Sequence, residues 1–112
     1  MIPPLPQDQP ATFETFVHGT IFGDRTALAA GLREGDELVL IPDPPMEDDP
    51  NVWVHVSSGD VVGHLPPDIN QWMATWLLRG GSARATVLKA HGQDVPSYKR
   101  LEVQIQCAGP DA

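Results

Sequence analysis

The chain has 112 residues, 41% of them apolar, which suffices for one modest core and makes a single domain the default. Fifteen acidic against seven basic residues leave a net charge of −8 and a pI near 4.6, so the overall field disfavours binding that neutralises many phosphates of a long duplex; a short or end-specific contact remains compatible. The only cysteine, Cys107, rules out an internal disulfide and a thiolate-rich zinc site, and without a leader-like start or a long apolar run the chain reads as cytoplasmic, with no membrane contact.

Residues 1–10, "MIPPLPQDQP", hold four prolines and no apolar periodicity, which predicts an extended or loosely ordered arm before a domain over 11–108 and a tail at 109–112. "TFETFVHGTI" alternates β-prone residues and predicts a strand ending near Ile21. In "GDRTALAAGLREGD", Asp24 is placed to cap a short Ala-rich helix that Gly31 or Gly35 ends. "DELVLIPD" predicts a buried strand stopped by Pro42. After the acidic loop "DPPMEDDP", the runs Val52–Val56 and Val61–Leu65 flank a Ser-Ser-Gly-Asp turn and read as a hairpin.

The clearest helix follows. Asp68 and Gln71 come close to a capping box, and Ile69, Trp72, Met73, Trp76 and Leu77 fall on one helical stripe ended by Gly80-Gly81. "SARATVLKAH" and "YKRLEVQIQC" predict two more strands joined by the polar "GQDVPS". Five or six strands and two helices suggest a mainly β fold, a small curved sheet closing into an OB/SH3-like barrel capped by the amphipathic helix, with Gly19, Gly63 and Gly92 at its corners.

Chemistry-bearing residues are sparse. His18, His55, His64 and His91 are scattered without zinc-ligand spacing. Asp43, Glu47, Asp48 and Asp49 are oxygen donors suited to calcium, but the loop lacks the D-x-[DN]-x-[DN]-G spacing and is stiffened by proline, so it reads as a solvated turn. No metal or cofactor is expected. Neither a nucleophile elbow nor a phosphate loop occurs, and Cys107 ends an apolar run as a buried, inert thiol; no enzyme is expected. Trp72 and Trp76, four residues apart on the apolar stripe, belong to the core, whereas the facing of Trp53 depends on strand register. His64 reads either as a partly exposed hydrogen-bonding residue or as a phosphate or hydroxyl contact at a pocket rim.

Three elements, "GLREGDELVLI", "DPPMEDDPNVWV" and "DVVGHLPPDINQWMATWLLRGG", stand in an order that resembles the HIRAN domain. The resemblance implies an OB-like barrel and a pocket that grips the 3′ end of single-stranded DNA. Asp49 then matches the aspartate that accepts the terminal hydroxyl, Asn51 the asparagine that braces the loop, and His64 the residue at the pocket edge; Arg25 falls near a basic position suited to a phosphate. Three positions depart from that pattern. Asp48 stands where an aromatic residue stacks on a base, Thr26 or Ala27 where a second aromatic lies near the first helix, and Pro67 where a basic residue follows G-H-L. Two lost stacking contacts at about 1–3 kcal/mol each predict weakened single-strand binding.

The leading expectation is a non-enzymatic module for a short or terminal ligand, a single-stranded DNA end, with a place in DNA repair or processing. The alternative is a protein-interaction module whose acidic face docks a basic partner. The facing of Arg25, Arg33 and Trp53 separates the two: a groove shared with Asp49 and His64 favours nucleic acid.

Overall fold

Alternation at every second residue is the pattern a sheet with one buried face demands, and the last strand shows it plainly: Leu101, Val103, Ile105 and Cys107 are buried while Glu102, Gln104 and Gln106 point outward. The computed structural model describes residues 1–108; the predicted tail at 109–112 lies outside the described residues. In chain order the elements are β1 (Thr12–Phe16), α1 (Arg25–Ala30), β2 (Glu37–Pro42), β3 (Val52–His55), β4 (Val61–His64), α2 (Pro67–Leu78), β5 (Ala83–Ala90), a short 3-10 turn (Ser97–Lys99) and β6 (Leu101–Cys107).

The strands form one antiparallel sheet in the order β1-β6-β5-β2-β3-β4. Its two ends meet. Beyond β1 the chain crosses to β4, where His18 N–H donates to His64 O at 2.8 Å and His64 N–H donates to His18 O at 2.9 Å. That bridge closes the sheet into a small, mainly β, OB-like barrel. Bulges between Val87 and Lys89 and between Val54 and His55 supply the bending that closure needs. Gly63 makes the closure possible, because a methyl group there would collide with the His18 carbonyl and Val17 Cγ1. The first strand is therefore shorter than predicted: it leaves β6 after Phe16, bridges β4 at His18 and turns away at Gly19, whose φ of +73° few other residues tolerate.

Helix α2 packs Ile69, Met73, Ala74 and Trp76 into the core alongside Val52, Val54, Val62 and Leu65. It does not start with the predicted Asp68–Gln71 box. Pro67 opens it behind Pro66, neither Pro66 nor any other side chain makes a cap bond, and Asp68 lies inside the first turn, where its charge complements the helix dipole. Proline lacks the N–H that a first-turn position leaves unpaired, so the start needs no box. Likewise Asp24 precedes α1 without a side-chain cap bond, and Gly31 ends that helix. Trp72 and Trp76 are core or core-lining, as expected, Trp72 meeting Phe13 at 6.2 Å between ring centroids. Cys107 is buried, which pushes its thiol up to about 11 and keeps it protonated. Among the described residues no helix is long and apolar enough to cross a membrane.

Candidate functional site

The register left open for Trp53 is fixed by its neighbours. Val52 and Val54 point into the barrel, so Trp53 faces outward, in a cross-strand row with Ile41 on β2 and His64 on β4. The Trp53 and His64 rings meet edge-on at 5.7 Å. Over Trp53 lies the Arg25 guanidinium, 5.6 Å from its ring centroid and 5.7 Å from that of Phe22. Arg25 Nη1–H donates to Gly19 O at 3.1 Å, and among the described residues its charge has no ion-pair partner. Phe22 is 60% exposed. Phe22, Asp24, Arg25, Leu28, Asp60 and Val61 line an open cleft of about 420 Å³.

His64 Nδ1 lies 2.9 Å from Leu65 O, and a carbonyl can only accept, so Nδ1 carries the proton and Nε2 is the acceptor in the neutral ring. His18 stands edge-on to it at 6.2 Å. Burial, and secondarily the His64 charge, holds His18 below the usual histidine range, with Asp68 opposing weakly. His18 thus tends to stay neutral, and the cationic character of the face rests chiefly on Arg25.

A second opening lies between the acidic loop and the start of α2. Asp48, Asp49, Pro50, Asn51, Pro67, Asn70 and Gln71 line a groove of about 550 Å³. Its floor is held by Asn70, 5% exposed: Oδ1 accepts from Val52 N–H at 2.9 Å, while Nδ2–H donates to Leu65 O at 2.9 Å and to Asn51 Oδ1 at 3.1 Å. Asp48 and Asp49 are exposed and make no side-chain hydrogen bond or ion pair among the described residues.

Asp43 joins the two openings. Its Oδ2 accepts from Asn51 N–H at 2.9 Å and its Oδ1 from Trp53 Nε1–H at 2.6 Å, so it is a brace, not the solvated charge expected of the acidic loop. The four predicted site residues fall into two pairs: Arg25 and His64 on the outer face, Asp49 and Asn51 in the groove. His64 does not line the groove with Asp49. Arg33 is elsewhere, exposed in the turn before β2, where its backbone N–H bonds Asp36 Oδ2 at 2.8 Å.

A model of the HIRAN domain family matches residues 11–109. The chain belongs to the HIRAN domain family. No curated protein and no solved structure matches it significantly. Membership makes the chain a DNA-binding type of module, and the HIRAN barrel here carries an exposed aromatic and an unpaired arginine on one face.

Sequence reading missed three residues of this candidate site. Phe22 is an exposed aromatic just before α1 that the sequence reading did not name, and Thr26 bonds Thr20 O through its hydroxyl at 3.0 Å. An aromatic between Gly19 and Gly23, in a turn with no apolar alternation to bury it, was the signal. Asn70, a lone amide beside the apolar stripe of α2, was the second. Asp43 carried no local signal, since both of its bonds reach across the loop.

Proposed function

We propose that this HIRAN domain is a non-enzymatic module that binds the 3′ end of single-stranded DNA, and that it acts in DNA repair or processing. The observation that carries the reading is Arg25: a half-buried guanidinium with no ion-pair partner among the described residues, held between Phe22 and Trp53, next to His64. A phosphate can meet the guanidinium while a base stacks on exposed Phe22, and His64 Nε2 can accept from a hydroxyl. In the adjoining groove Asp49 offers a carboxylate that accepts from a terminal 3′-hydroxyl and repels a 3′-phosphate, with Asn51 fixed beside it by Asn70 and Asp43. The strand would then leave its end in the groove and run back over the face.

Fluorescence titration with short oligonucleotides tests this, with Trp53 as reporter. Tighter binding of 3′-hydroxyl than 3′-phosphate ends is expected, and equal, negligible binding of both overturns the reading. A second reading, a dock for a basic protein segment, is favoured by Asp48, a carboxylate without a cation at the groove mouth. It requires a bound protein whose retention weakens as salt is added.

A further inference from the structure

The face of α2 that carries Trp72 and Trp76 is covered by the arm. Ile2 and Leu5 pack against the core, and Trp76 Nε1–H donates to Pro3 O at 2.9 Å. Pro3, Pro4, Leu5 and Pro6 lie against Trp72, Thr75, Trp76 and Arg79, with an open volume of about 230 Å³ between them. Gly81 shapes this face, since a methyl group there would strike the Trp76 indole.

The arm has one backbone chemistry. Pro3, Pro4 and Pro6 fix their own φ, and Ile2, Pro3 and Leu5, each preceding a proline, are held extended, so residues 2–6 favour polyproline II. Such a segment has few N–H groups and outward carbonyls, and it is recognised by aromatic walls with a donor between them. Trp72 and Trp76 are those walls, and the Trp76 indole N–H is that donor.

Two facts make the arm an accessory to the groove. The family match begins at residue 11, after the arm, and includes the whole of α2. The hold is also light: one hydrogen bond joins the arm to α2, and Pro4 and Pro6 are exposed.

We propose that the Trp72–Trp76 groove is a second binding site, for a proline-rich segment of a partner protein in the polyproline II conformation, with residues 1–10 as its built-in competitor. It uses the later turns of α2, whereas the acidic groove uses the first, so both can be filled at once. The site does not depend on the DNA-end reading. Because the arm is tethered, it competes at an effective concentration in the millimolar range, and only a segment that fits better, or an arm that is loosened, opens the groove.

The test uses the chain of residues 1–112 and the synthetic peptide IPPLPQ, with the Trp76 indole N–H resonance as reporter. Leu5→Asp should shift that resonance, and the peptide should return it while binding at least about tenfold tighter than to wild type. A peptide with alanine in place of its three prolines should bind at least about tenfold more weakly than IPPLPQ. The double variant Pro4→Gly, Pro6→Gly loosens the arm without adding charge and should behave as Leu5→Asp does. An indole resonance that neither variant moves, an absence of peptide binding to both variants, or equal binding of the alanine peptide overturns the proposal. So does a concentration-dependent dimer linked by exchanged arms, which assigns the groove to a second copy.

Discussion

The two openings beside β3 differ in chemistry: one sets a cation and an exposed ring among its carboxylates, the other has carboxylates and amides alone. On the outer face the Arg25 guanidinium stands over Trp53 and Phe22, with Asp24 and Asp60 along the same cleft, and His18, half-buried next to His64, resists adding a second cation. In the groove two exposed carboxylates, Asp48 and Asp49, stand among neutral amides. A net charge of −8 describes neither. What a ligand meets is the local field, because exposed charges more than about 10 Å away are largely screened at ordinary salt. In the proposed reading a terminal nucleotide would set its phosphate at Arg25 and its free hydroxyl at Asp49.

The sharpest way to break the comparison is to remove what keeps the openings separate. Asn70→Ala strands Val52 N–H in the core, leaves Leu65 O with the His64 Nδ1–H alone and releases Asn51, which should cost about 2 kcal/mol of stability, read as a lower urea midpoint. Gly63→Ala forces the His18–His64 bridge apart; overpacking of this kind costs about 1–3 kcal/mol, and the amide protons of His18 and His64 should lose protection from exchange.

Smaller substitutions sharpen the contrast through binding. Arg25→Ala should weaken single-stranded DNA binding about tenfold and lower the salt slope by about 0.7, the signature of one lost phosphate contact. Asp48→Tyr should act in the opposite direction, about tenfold tighter, since it removes a repelling charge at the groove mouth and adds a stacking ring. Both changes are measured by the same oligonucleotide titration at several salt concentrations.

The smallest effect is on pH dependence. His18 is held below its ordinary value in the folded chain, chiefly by burial, so on acidification the unfolded chain takes up its proton first. Stability is then full above about pH 6.5 and falls as pH drops through that value. Urea midpoints on either side should show this decline, and His18→Gln should flatten it.

Much of the fold was legible because it rests on local pattern. The β6 alternation, the α2 stripe and the hairpin around Ser57–Asp60 each name their element within a few residues. Helix starts were less so: Asp24 and Asp68 have the right side chains for capping, but neither makes the bond, because the backbone of Phe22 and Pro66 takes the first-turn N–H groups instead. Of the site, Asp49, Asn51, His64 and Arg25 could be named from motif, but not their division into two pairs. Asp43 and Asn70, which set that division, act through bonds spanning five to nineteen positions of chain.

By itself the sequence determined the strand periods, the amphipathic helix and the HIRAN pattern, all carried by side chains a few residues apart. Only the tertiary structure decided which row of β3 faces out and which residues meet there. Alternation separates Val52 and Val54 from Trp53 but does not say which set is inside. Closure at His18 and His64 settles it: it encloses the valines in the barrel and leaves Trp53 outside, under Arg25 and beside Phe22.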